Sequence, residues 1–182
     1  MKIDYQLTKQ DYIDYNIYHM SHSDTIRRSL FGQRYLISII FLIMPFMLIK
    51  ISDIHLWYWL STFIIVYILW IIFYPKYLRW YIIRRISRML DEGKNVDMLG
   101  DHSFLLTEDG VIDITNFSES KNNWNVIENI VVTREHIFIY INAVMAYIIP
   151  IRAFININQK NEFINTLNNM TEKTKVKDKV GV

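Results

Sequence analysis

Histidine is the first residue type to weigh for chemistry, because it titrates between pH 5 and 8 and is a common metal ligand. The chain has five, and they are dispersed. His19 and His22 are spaced to share one helix face, which suits a metal pair, yet no further cluster of ligands accompanies them. His55 falls between two apolar runs, while His102 and His136 sit in strand-like contexts; each reads as structural or exposed. Asp11 and Asp14 also share a spacing that fits one helix face, but Asp11 lies near a helix start, where a carboxylate favours the macrodipole. With no cysteine there is no thiolate zinc site, disulfide or Cys nucleophile. No Gly-rich phosphate loop, nucleophile elbow or zincin pattern occurs. The expectation is therefore no enzyme, no cofactor and no metal site. Trp124 and Arg152 are the residues that stand out for recognition, as a candidate docking pair if exposed; the competing reading has Trp124 in the core and Arg152 paired locally.

The elements that must position these residues are unusual in composition. The 182 residues are 52% hydrophobic and 15% aromatic, with 5 Gly and 3 Pro, unlike a disordered or collagen-like chain. A net charge of +2 from 20 basic and 18 acidic residues is too balanced for a nucleic-acid binder. Its distribution is more telling. Arg27, Arg28 and Arg34 precede one apolar run, and Lys76, Arg79, Arg84, Arg85 and Arg88 follow another. These eight are expected at the membrane surface, with the lipid bilayer as partner.

The first run predicts a transmembrane helix over residues 29–52, long enough for a bilayer core of about 20 helical residues if Arg34 and Lys50 snorkel. Pro45 is expected to kink it. The second run predicts a transmembrane helix over 55–75; it carries no charge from Leu56 to Tyr74 and has aromatic residues at both ends. Pro75 is read as its exit. Ser52 to His55 form a short turn between the two, so the helices are antiparallel neighbours. Basic residues crowd the outer flanks and nearly avoid the turn, which places both termini in the cytoplasm of a multi-pass cell-membrane protein. Residues 76–93 then read as a basic amphipathic helix, either an extension of the second span or a helix lying on the membrane. Without intramembrane charge the hairpin suits an anchor better than a conduit.

Outside the membrane, residues 1–28 read as a strand over 2–7 and an amphipathic helix opening at Thr8, with Thr8 and Asp11 resembling a capping box. A lone strand is unstable, so it is expected to join the C-terminal sheet. That sheet, in a domain over 97–172, is predicted from strand-like runs at 103–107, 111–115, 126–133, 136–141 and 144–149, the first two joined by Glu108-Asp109-Gly110. Residues 117–123 read as a loop or short edge strand, Pro150 as a strand end, and 159–171 as a closing helix capped by Asn158. Residues 173–182 read as a disordered tail. The class is α+β: a two-helix transmembrane hairpin with a cytoplasmic antiparallel sheet capped by a C-terminal helix.

Ile3-Asp4-Tyr5-Gln6-Leu7-Thr8 with Asp11-Tyr12, the hairpin, the Glu108-Asp109-Gly110 turn, Trp124-x-x-Ile127-x-x-Ile130 and Ile149-Pro150-Ile151-Arg152-Ala153-Phe154 together resemble the YcxB-like proteins. The resemblance runs over nearly the whole chain and rests on order and spacing. It implies a C-terminal pleckstrin-homology-like (PH-like) domain, a bent sheet closed by one helix, and no established activity. Glu108 and Asp109 stand where phosphoinositide-binding relatives of that fold carry basic residues.

The functional expectation is a membrane-anchored interaction module whose partner is another protein or a second copy of the chain. The alternative is a small lipid-active protein that remodels membranes or forms pores, for which Ser38, Ser61 and Thr62 offer a thin polar lining.

Overall fold

The computed structural model describes residues 1–51, 54–92 and 98–180, with side chains described to residue 172. The expected outer turn at Ser52 and Asp53, the helix end at Gly93 and the last two residues of the tail lie outside these. The chain forms two compact units, one of Met1–Tyr15 with Ser87–Val182 and one of Asn16–Ile86.

The first unit is built from two antiparallel sheets and a helix. β1 (Lys2–Leu7) alternates buried Ile3, Tyr5 and Leu7 with exposed Lys2, Asp4 and Gln6, the period of a strand with one face in a core. It pairs with β2 (Gly100–Leu106), setting Ile3 opposite Phe104 and Tyr5 opposite His102. β3 (Gly110–Thr115) and β4 (Glu119–Asn123) complete a four-stranded sheet in the order β1-β2-β3-β4. Gly110 is required where β3 meets β4, because a Cβ there would lie 2.1 Å from the Asn122 carbonyl oxygen. β5 (Asn129–Val132), β6 (His136–Tyr140) and β7 (Ala146–Pro150) form the second sheet, with β6 central and buried at every position. Pro150 closes β7, where its missing N–H costs nothing further along the strand.

Tyr147 joins the sheets: its ring meets Phe104 at 5.1 Å and its hydroxyl accepts from Asn122 Nδ2 at 2.6 Å. α5 (Ile157–Val180) closes the core with Phe163 and Leu167, both fully buried, and Phe163 packs on Phe104 and Phe154. Each such side chain contributes roughly 1.5–3 kcal/mol. The helix starts earlier than the sequence suggests, because Asn156 and not Asn158 caps it, its Oδ1 accepting from Gln159 N at 2.9 Å. It also continues to Val180, where a disordered tail was expected from residue 173. The expected strand 126–133 is shorter as well, since Trp124–Val126 make a 3₁₀ turn.

The first half of α1 (Lys9–His22) belongs to this unit through buried Asp11, Ile13 and Tyr15. The Tyr15 ring lies 5.4 Å from Phe138 and its hydroxyl donates to the Val144 carbonyl at 2.7 Å. Burial pushes the Tyr15 phenol pKa up.

The second unit holds the apolar helices. α2 (Asp24–Phe31) passes through a π turn (Gly32–Leu36) and a 3₁₀ turn (Ile37–Ile39) into α3 (Ile40–Leu48), a continuous run of 25 residues. α3 runs through Pro45, and the departures from α geometry fall earlier in the run, at 32–39. α4 (Leu56–Asp91) is a single helix of 36 residues, about 54 Å at 1.5 Å per residue. It continues through Pro75, where the sequence reading placed an exit, and takes in the basic segment as its extension. Both runs are long and apolar enough to cross a membrane. Their most apolar windows are 11% and 0% buried, so neither is packed as a core helix would be.

Candidate functional site

Asp11 is the hub of the first unit. Thr8 precedes α1 and the two residues cap it reciprocally: the Thr8 N–H donates to Asp11 Oδ2 at 2.7 Å, and the Asp11 N–H donates to Thr8 Oγ1 at 3.4 Å. The Thr8 hydroxyl donates to the same carboxylate oxygen. From the 3₁₀ turn Ile151–Ala153, Arg152 grips both carboxylate oxygens, with Nη1 at 2.7 Å from Oδ1 and Nη2 on Oδ2. Arg152 Nη2 also donates to the Gln6 carbonyl on β1 at 3.0 Å. His136, the first residue of β6, places Nε2 at 2.7 Å from Asp11 Oδ1. Burial alone would raise the Asp11 pKa, but the bonds from Arg152, Thr8 and His136 outweigh it and hold the carboxyl well below the ordinary carboxylate range. The same bond raises the Arg152 pKa, against the effect of its desolvation.

An acid hydrogen-bonded to a histidine resembles half of a nucleophile-activating triad, but this one is fully committed. Asp11 is only 2% exposed, His136 is 4% exposed, and Arg152 neutralises the carboxylate. The arrangement locks β1, α1, β6 and the turn after β7 together. A second acid–histidine pair lies on β2 and β3: His102 Nδ1 sits 3.1 Å from both oxygens of Asp113, and its ring stacks on Tyr5 at 5.5 Å. Burial, then the charge of Asp113, pushes the Tyr5 pKa well up. The only described grouping with three donors for a metal is Asp14, Glu135 and His136, whose ligand atoms lie within 4.8 Å of one another. Two of them already have partners, Asp14 in Gln10 and His136 in Asp11.

The candidate docking pair does not form an exposed surface. Trp124 is 3% exposed, and its indole N–H donates to the Thr107 and Glu108 carbonyls at 3.1 Å, pinning the β2–β3 turn. It is a core residue, as the competing reading has it, and not an exposed docking anchor. Arg152 is half-exposed, but its guanidinium is spent on Asp11 and Gln6.

In the second unit the basic residues divide. Arg28, Lys76, Arg84 and Arg85 are exposed on α2 and α4, with Arg84 over the Trp80 ring at 5.1 Å; Arg88, exposed on the last turns of α4, belongs to the first unit. Arg34 is not simply a surface cation. Its Nε and Nη2 donate to the Ile71 carbonyl at 3.1 and 2.8 Å. In an α-helix that carbonyl would accept from residue 75, which is Pro75 and has no N–H to give. Arg34 therefore supplies the bond that the proline removes. The π turn that carries Arg34 also carries Gln33, whose Oε1 accepts from the Tyr74 hydroxyl at 2.7 Å. A cavity of about 470 Å³ opens beside this contact, lined by Arg27, Arg34 and Arg79 among largely apolar residues of α1, α2 and α4. The polar side chains proposed for a pore are turned back on their own helices: Ser38 donates to the Arg34 and Tyr35 carbonyls, and Ser61 and Thr62 to that of Tyr58.

Sequence reasoning found the Thr8–Asp11 cap because it is local. It missed His136 and Arg152 as partners of Asp11, since they lie 125 and 141 residues away and no local pattern connects them. The model of the YcxB-like protein family matches residues 106–167, from the end of β2 into α5. Neither a curated protein nor a solved structure matches the chain.

Proposed function

Taking the YcxB-like assignment of residues 106–167 as the premise, we propose that the chain is an integral membrane protein whose helix hairpin anchors a cytoplasmic PH-like interaction domain. The observation that carries this reading is the exposure of the apolar helices. Ile37, Ile43 and Phe46 on the first run, and Ile65, Ile72 and Phe73 on the second, are all more than half exposed, and a hydrocarbon solvent accounts for such faces. The positive-inside distribution of arginine supports cytoplasmic flanks. A four-stranded and a three-stranded antiparallel sheet closed by a C-terminal helix support the PH-like reading.

Interaction is favoured over catalysis because the two acid–histidine pairs of the domain serve its own packing. Asp11, His136 and Arg152 satisfy one another, and His102 is held by Asp113. The partner is a protein, either another chain or a second copy of this one. Exposed apolar side chains on the loops, Val144 after β6 and Ile155 before α5, are contact points for it. Pore formation is disfavoured by the hydroxyls of Ser38, Ser61 and Thr62, each already bonded to its own helix.

The test is photo-crosslinking in intact membranes with a crosslinker at Ile155 or at Val144. A discrete adduct, heteromeric or dimeric, is expected at one of these positions. Crosslinking to lipid alone at both would contradict a protein partner.

A further inference from the structure

We propose that the cavity in the Asn16–Ile86 unit holds one anionic phospholipid, its phosphate among Arg27, Arg34 and Arg79. The inference rests on the membrane reading above. The cavity, at about 470 Å³, falls in the range of small-ligand sites, and it combines two kinds of wall. Ile17, Met20, Leu30, Leu78 and Ile82 make it apolar, whereas Arg27, Arg34 and Arg79 are the only charged side chains among the described residues that line it. Among the described residues no carboxylate lines it. Apolar walls alone would accept any acyl chain, and basic walls alone would suit a soluble anion. The combination fits a molecule with an apolar body and an anionic head.

The arginines are also prepared for that role to different degrees. Arg34 is fixed by the Ile71 carbonyl and lies 5.2 Å from the Tyr35 ring centroid, so it presents a positioned charge. Arg27 has only a loose contact with Asp24, at 3.9 Å, and Arg79 has no acidic partner among the described residues. Both keep guanidinium donors for a phosphate, which arginine binds by paired, charge-assisted hydrogen bonds.

The full chain, purified from membranes in a mild detergent, is offered phosphatidylglycerol or phosphatidylcholine and the retained lipid is counted by native mass spectrometry. One retained phosphatidylglycerol is expected, with a preference of roughly tenfold over phosphatidylcholine. The double variant Arg27→Gln/Arg79→Gln should lose that preference. The double variant Arg84→Gln/Arg85→Gln, which removes equal charge outside the cavity, should keep it, and millimolar inorganic phosphate should not displace the lipid. Equal retention of both lipids, equal losses in the two variants, or displacement by inorganic phosphate would overturn the site while leaving the membrane reading intact. Recovery of the chain in the soluble fraction, before any detergent is added, would overturn both.

Discussion

At the scale of single residues the first unit turns on Asp11. A carboxylate that is 2% exposed is tolerable only because Arg152, His136 and Thr8 surround it, so removing one partner leaves a buried charge uncompensated. Arg152→Ala is expected to destabilise the first unit by about 3 kcal/mol, at the low end for buried pairs because the guanidinium is half-exposed. Thermal unfolding of the detergent-solubilised chain should show a midpoint lower by roughly 10 °C. Arg152→Lys should fall between the two, since an ammonium cannot grip both oxygens with a planar fork. The pH dependence has a definite sign. The folded-state pKa of Asp11 is depressed, so its contribution is complete above its ordinary value of 3.8 and is lost as the pH falls below that value. Asp11→Asn should therefore be less stable than the native chain at neutral pH, yet lose less further stability on acidification below about pH 4. A parallel acid limb in both proteins would show that Asp11 is not the titrating group.

At the scale of elements, the features written in local pattern were legible and those depending on distant partners were not. β1 could be read from its alternation, and its need for a sheet followed from the instability of a lone strand. The uncharged stretch of α4 was equally plain. Pro75 misled, because the expectation that a proline ends a helix assumes that the carbonyl one turn back stays unsatisfied. Here Arg34, 37 residues earlier in the chain, satisfies the Ile71 carbonyl, and the helix continues to Asp91. The strand expected from residue 126 began later for a related reason: Trp124 turns inward to bond the β2–β3 turn, which commits the backbone to a 3₁₀ turn before β5. The proline compensation gives a double-mutant test. Arg34→Leu should cost about 1–3 kcal/mol of helix-pair stability in the native background, and less than half of that in a Pro75→Ala background, where Ala at position 75 can bond Ile71 itself. Equal costs in the two backgrounds would mean that Arg34 acts through some other contact.

At the scale of the whole molecule, apolar helices that carry no charge through their most apolar stretch are joined to a domain whose buried charges pair with one another. In the proposed reading the helices present their surface to lipid and the sheets present theirs to a protein. The claim on which the rest depends is that the hairpin crosses the membrane twice and leaves its flanks in the cytoplasm. The chain contains no cysteine, so engineered single cysteines can be read without background. The measurement is labelling of Ile54→Cys, at the start of the described residues beyond the outer turn, and of Asn125→Cys, on the exposed side of the first unit, with a membrane-impermeant maleimide. Ile54→Cys is expected to react in intact cells and Asn125→Cys only after permeabilisation. Labelling of Asn125→Cys in intact cells, or protection of Ile54→Cys until the membrane is opened, would contradict the account.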